Sequence, residues 1–317
     1  MDPREKTGHE VPEVGMLIAR VLVATDGSEG ARLAGRAAAD IASRTGAELH
    51  LVHVWRLVPA HAAYPGVMWT DYSYLSEDEA RRLLKREAAG IAESGGRIAG
   101  THLVQDAPAG GILGLCRRLR PDLLVLGSRG LGALGRLALG SVSEAVAHRA
   151  GWPVLVVRGG EEAWPPRRVV VGDDGSQAAA AAGELAALIG GLFGAEGVVV
   201  RAFRSPPGAG EAGEFEEALY WEGQALEGRA WRIGKVLGSR PVARLVEGDA
   251  AAEILRAAAE GDDERRSLVA VGSRGLGAAG RLLLGSVSTK LLRAAGGSVL
   301  VCPQRSPFVS RYDEGLA

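Results

Sequence analysis

The chain has 317 residues, 47% of them hydrophobic and 24% charged, with a formal net charge of −1 and two cysteines. That length suits two ordinary domains, each with its own core. The balanced charge leaves no basic footprint for nucleic acid, and two isolated cysteines set no disulfide framework, so a cytoplasmic setting is expected.

Residues 1–15 are polar and mixed in charge, without the apolar stretch of a secretion signal, and they read as an unstructured lead-in. Beyond them, the apolar runs Arg20–Ala24, Leu49–Trp55, His102–Gln105, Leu123–Leu126 and Val154–Val157 read as strands, most of them separated by helical stretches. The segment Pro59–Ser76 fits neither pattern. It holds Tyr64, Trp69, Tyr72 and Tyr74, which suits a subunit contact, a lid over a ligand or a cover for the sheet edge. Cys116 lies in a helical pattern and is expected to act as a small buried hydrophobe. The segment Gly159–Arg167, with paired glycines, paired acids and Pro165-Pro166, breaks both kinds of periodicity and reads as a linker.

The order then repeats, with strands expected at Val169–Gly172, Val198–Phe203, Val242–Val246, Leu268–Val271 and Val299–Cys302, the last carrying Cys302. An irregular stretch, Arg204–Gly213, matches the first half poorly. Ala178–Ala195 carries a single charge, Glu184, and is long enough to imitate a membrane span. It is rich in Ala and Gly and falls where a first crossover helix belongs, so a soluble helix is expected and no membrane contact. Continuous apolar strands alternating with helices imply a parallel sheet covered on both faces, with right-handed crossovers. The domains are expected at residues 17–158 and 167–304, with disordered tails at 1–16 and 305–317.

After the fourth strand of each half stands the same glycine-rich string, GSRGLGALGRLALGSVS from Gly127 and GSRGLGAAGRLLLGSVS from Gly272, differing at two positions. A strand, a glycine loop and a helix start together form an anion cradle, because glycine allows close backbone approach and the first helical turn presents unpaired N–H groups. Each string contains a G-x-G-x-x-G match (Gly130, Gly132, Gly135; Gly275, Gly277, Gly280). The dinucleotide fingerprint belongs instead at the first strand with an acid about 20 residues on, and position 155 is Leu. Gly234-Lys235 is followed by Val236, so there is no phosphate-binding loop of the Walker type. The frame that fits is G-x2-G-x9-G-(S/T), met by Gly127, Gly130, Gly140 and Ser141 and again by Gly272, Gly275, Gly285 and Ser286. The plainer alternatives are a tight turn for the glycines and helix-dipole anions for Asp26 and Asp174. Arg136 and Arg281 are expected to be solvated. The histidines, His53 included, show no metal-ligand spacing and no nucleophile partner.

With the opening strands V-L-V-A-T-D-G-S (21–28) and V-V-V-G-D-D-G-S (169–176), this frame resembles the ATP-binding branch of the universal stress protein family in its tandem form, across nearly the whole span from Leu17 to Pro303. The resemblance implies two open, five-stranded parallel α/β sandwich domains, Rossmann-like, with strand order 3-2-1-4-5. It also implies that Asp26, flanked by Ala24 and Thr25, bonds the ribose or the adenine edge. The backbone near Val54 and Leu126 would hold adenine, Gly127 and Arg129 would line the ribose and first phosphate, and Gly130, Gly140, Ser141, Val142 and Ser143 would wrap the triphosphate. In the second half the implied set is Gly172, Asp173, Asp174, Ala202, Val271, Gly272, Arg274, Gly275, Gly285, Ser286, Val287 and Ser288. Ala202 is its weakest match and would thin the adenine contact. One ATP per domain is implied, with Mg²⁺ on the phosphates. The fifth strands, short and apolar, would be a liability at bare sheet edges, and pairing them antiparallel would cover both. The resemblance supports that joint and adds a chain homodimer above it. A regulatory ATP switch read by a protein partner follows. The alternative is a slow ATPase or adenylyl-transfer enzyme, although the motif offers no evident general base. A scaffold with empty sites is a third reading.

Overall fold

The computed structural model describes residues 18–56, 76–130, 139–205, 213–260, 264–274 and 284–304. In chain order the first half forms β1 (Arg20–Ala24), α1 (Glu29–Thr45), β2 (Glu48–Trp55), α2 (Glu77–Glu93), β3 (Ile98–Gln105), α3 (Pro108–Leu119), β4 (Leu123–Gly127), α4 (Ser141–Arg149) and β5 (Val154–Val157). The second forms β6 (Arg168–Gly172), α5 (Gln177–Gly191), β7 (Glu196–Phe203), α6 (Gly213–Leu237), β8 (Val242–Glu247), α7 (Ala250–Ala259), β9 (Ser267–Gly272), α8 (Ser286–Ala294) and β10 (Ser298–Cys302). Every expected strand is present. The largest difference is β3, which starts four residues early because its first half alternates and carries little continuous apolar signal. The linker is also more ordered than expected, with a single 3-10 turn at Glu161–Ala163.

The strands join into one ten-stranded sheet, β3-β2-β1-β4-β5-β10-β9-β6-β7-β8, so each half has the order 3-2-1-4-5 and the two meet through their fifth strands. All pairings are parallel except the central one, where β5 and β10 run antiparallel with Leu155 opposite Leu300. One face of the sheet is covered by α1, α2, α5 and α6, the other by α3, α4, α7 and α8, and both core layers continue through both halves. Val, Ile and Leu side chains buried on both faces explain why the strands read as unbroken apolar runs. The Arg158 side chain crosses the joint and donates to the carbonyls of Ala295 (2.6 Å) and Leu292 (2.5 Å) at the end of α8. Arg293 reaches back to Glu144 of α4 at 2.5 Å.

Helix α5 is buried nearly all round, between the sheet and α6, which accounts for its membrane-like composition. Among the described residues no helix is long and apolar enough to cross a membrane. Both cysteines are buried and free, and burial pushes the Cys116 thiol up to about 12 and the Cys302 thiol still higher. The aromatic segment after β2 lies outside the described residues, as does most of Arg204–Gly213.

Candidate functional site

Strands β1 and β4 lie side by side at the centre of the first half, and the chain leaves them toward opposite faces, α1 on one and α4 on the other. The crevice at their carboxyl ends is where an open α/β sheet takes ligands. After β1, Asp26 accepts from the Ser28 amide at 3.0 Å, and Gly27 turns the chain with φ of +81°. Ser28 caps α1 by accepting from the Ala31 amide at 3.2 Å and donates its hydroxyl to the Arg129 carbonyl at 3.3 Å. That bond ties the loop after β1 to the loop after β4. His53 is buried below, with Nδ1 2.8 Å from the Thr25 carbonyl.

The loop after β4 is closed at its neck. The Gly140 amide donates to the Ser128 carbonyl at 2.7 Å, and the Ser128 amide to Val157 at 2.9 Å. Gly140 is then the N-cap of α4 and offers no side-chain cap, unlike Ser28 at α1, so the first N–H groups of α4 are left for another acceptor. Ser141 is exposed and Val142 half-buried at this helix start. Ser143 is buried and donates to the Gly127 carbonyl at 2.6 Å, so its hydroxyl hydrogen fastens the helix to the strand. Arg129 is half-buried beside the loop; burial, and after it the Arg129 charge, lowers the Arg158 guanidinium below its ordinary range.

The second half rebuilds the same neck. Gly285 donates to Ser273 at 2.7 Å, Ser273 to Cys302 at 2.7 Å, and Ser288 to the Gly272 carbonyl at 2.7 Å. Gly285 likewise leaves α8 without a side-chain cap, and Ser286 is exposed at its start. Asp174 accepts from the Ser176 amide at 3.0 Å, and Ser176 caps α5. Ala202 pairs with Val246 as Val54 pairs with Val104. Gly275 lies outside the described residues, as do residues 131–138 with Arg136, and Arg281 in the second loop.

Three expectations change in physical reason. The side chain of Asp173 is fully buried, held by Arg201 and, at 3.5 Å, by Arg229. What Asp173 can offer a ligand is therefore backbone. Gly130, expected to give the backbone close approach to phosphate, also stands over Asp26: its φ is not positive, and a methyl group there would meet the Asp26 carboxylate. A Cβ on Gly127 would stand 2.5 Å from the carbonyl carbon of Gly30, so close approach of α1 demands this glycine, whatever the ligand. The capping serines Ser28 and Ser176 escaped the sequence reading of the site, although Asp-Gly-Ser before a helical run is a recognisable start signal.

Among the described residues no cluster of three or more His, Cys, Asp or Glu could hold a metal ion. The chemistry on offer is hydrogen-bond donation and positive charge from backbone amides, a serine hydroxyl and arginine, with a carboxylate across the crevice.

Comparison with known proteins agrees with this architecture. The model of the universal stress protein family matches twice, over residues 18–158 and 166–303. A universal stress protein of Mycolicibacterium smegmatis is 30% identical over 310 residues, covering 90% of this chain and 97% of the relative. One from Thermus aquaticus is 38% identical over 141 residues, 44% of this chain and 97% of its own length. The crystal structure of a universal stress protein from Archaeoglobus fulgidus is similar in fold, with a TM-score of 0.63 at 22% identity over 90% of this chain and 98% of its own.

Proposed function

The chain belongs to the universal stress protein family, carrying the family's domain twice, and on that premise we propose that it is a regulatory protein binding one ATP in the crevice of each domain. The observation that carries this reading is the doubled neck. Two glycine loops, closed by the same 2.7 Å amide bond, each deliver a helix start without a side-chain cap to the carboxyl ends of the central strands. An exposed anion at a helix N-terminus gains about 0.3–1 kcal/mol, or up to roughly 2 when partly buried. Micromolar affinity needs about −8 kcal/mol, so several groups must act together. In the first domain the amides of Ser141 and Val142, the Ser141 hydroxyl and Arg129 take the phosphate oxygens, while Asp26 takes the ribose or adenine edge. The Leu126 and Val54 backbones border the base. In the second, Ser286, Val287, Arg274, Asp174, Val271 and Ala202 act in the same order. Mg²⁺ fits only as a counterion carried on the phosphates and would neutralise their charge.

As a switch, the protein responds to ATP by the difference in affinity between two states, in the cytoplasm, through a homodimer and a protein partner that reads its state.

The test is Gly130→Ala. Its methyl group displaces the Asp26 carboxylate without straining the backbone, so the first site should weaken by at least about tenfold, the worth of one good hydrogen bond to a charged group. The second site should be untouched and the melting temperature nearly unchanged. Calorimetry of a stable variant that still binds ATP at two sites with wild-type affinity would refute the placement.

A further inference from the structure

We propose that the outer face of α6 is the surface through which two copies of the chain pair, their α6 helices antiparallel about a two-fold axis level with Leu226. The proposal rests on the homodimer of the preceding reading and gives it a surface; it does not depend on nucleotide.

Leu226, Ala230, Ile233 and Leu237 bury one side of α6 against the core. At 100° per residue, Tyr220, Gln224, Gly228, Trp231 and Lys235 form a stripe on the opposite side, with Trp221 at its margin. The solvent side of such a helix is normally charged. Here Tyr220, Trp221 and Trp231 are 60%, 61% and 61% exposed, and with Val242 at the start of neighbouring β8 they are the exposed large hydrophobic residues among the described ones. The matching helix of the first domain does not share this feature. Aligning the buried Leu84 and Ile91 of α2 with Leu226 and Ile233 puts Asp78, Glu79, Arg82, Arg86, Ala89 and Glu93 at the stripe positions. The aromatic face therefore belongs to the second domain alone and is not a requirement of the fold.

Charge selects the occupant. Glu216 and Glu217 stand in the first half of α6, Arg232 and Lys235 in the second. A second copy laid antiparallel sets Glu217 opposite the partner's Lys235, Trp221 opposite the partner's Trp231 and Gln224 opposite the partner's Gly228. A parallel copy would set like charges together. Near the axis, Gly228 has nothing within 4 Å of where a Cβ would stand, which leaves room for a partner helix. Such an interface is isologous and closes at two subunits. Three aromatic side chains exposed to this degree supply on the order of 300–450 Å² per partner, about half of what an interface of ordinary size needs. The rest of the stripe and the start of β8, with Val242, supply the remainder.

Sedimentation velocity on the full chain at micromolar concentration should show a dimer. Trp221→Glu with Trp231→Glu should weaken it by about 30-fold or more, as loss of central aromatic anchors does, with the circular dichroism spectrum unchanged. Glu217→Lys and Lys235→Glu should each weaken the dimer, and the two combined in one chain should restore it, since every lysine then faces a glutamate again. A chain that stays monomeric would overturn both this surface and the homodimer, leaving the aromatic face to some other partner. A dimer indifferent to the tryptophan and charge variants would overturn this surface alone.

Discussion

Replacing Arg201 with methionine is expected to lower the stability of the second domain by about 3–5 kcal/mol, the usual cost of removing one partner from a buried ion pair. Asp173, whose side chain is fully buried, is held by Arg201, which also pairs with Glu222. Even with both arginines nearby, one Asp173 oxygen and the Arg201 Nε lack a hydrogen-bond partner within the described structure. Without Arg201 the carboxylate keeps only Arg229, 3.5 Å away. The first domain solves the same spot differently. Thr25, His53 and Glu87 occupy the positions of Asp173, Arg201 and Arg229, with the Thr25 hydroxyl 3.4 Å from Glu87 and His53 against the Thr25 carbonyl. The acid thus moves from α2 in the first half to the turn after β6 in the second. Transplanting the first domain's set as Asp173→Thr, Arg201→His and Arg229→Glu should recover most of the loss, which chemical denaturation would read. A single Arg201→Met variant within about 1 kcal/mol of wild type, the cost of an ordinary surface change, would show that the triad contributes little.

Gly127→Ala is expected to cost about 3 kcal/mol, at the upper end for an added methyl in a packed site. The new Cβ would stand 2.5 and 2.6 Å from the Gly30 carbonyl carbon and oxygen and 2.9 Å from the Ala31 amide. These are backbone atoms at the start of α1, so β4 and α1 must separate. Gly272→Ala should be milder, roughly 1–2 kcal/mol, because its Cβ would meet Ala178 and Ala179 at 2.9–3.0 Å. The position of Gly30 is already taken there by an alanine, Ala178, so the two elements stand further apart. Thermal melts of the two variants would rank them, and equal melting temperatures would mean that the close approach does not set the cost.

These two cases also show what the sequence makes legible. Strand positions and the doubled loop are legible in the residues themselves, because buried parallel strands write themselves as unbroken apolar runs and the repeat fixes their correspondence, whereas the strand order rests on the family resemblance. The roles of individual glycines and acids are not legible. Gly127 and Gly130 look alike as letters, yet one is required by the backbone of α1 and the other stands over the Asp26 carboxylate. Asp173 and Asp174 are adjacent and chemically identical, but the first points into the α6 layer and the second toward the crevice loop, and the first is held by Arg201 and Arg229, 28 and 56 residues further along the sequence. Such long-range pairings leave no local periodicity. Ser143 and Ser288 likewise carry a structural bond that their place in the motif does not announce, each donating its hydroxyl from helix to strand.

Calorimetric titration of nucleotide-free chain with ATP and Mg²⁺ tests the central claim most directly. On the proposed placement of adenine against the strand backbones, two ATP per chain are predicted, the second site weaker where Ala202 stands in place of the larger Val54, and GTP should compete poorly. Binding of one ATP or none would contradict the account, and equal competition by GTP would show that the base is not read.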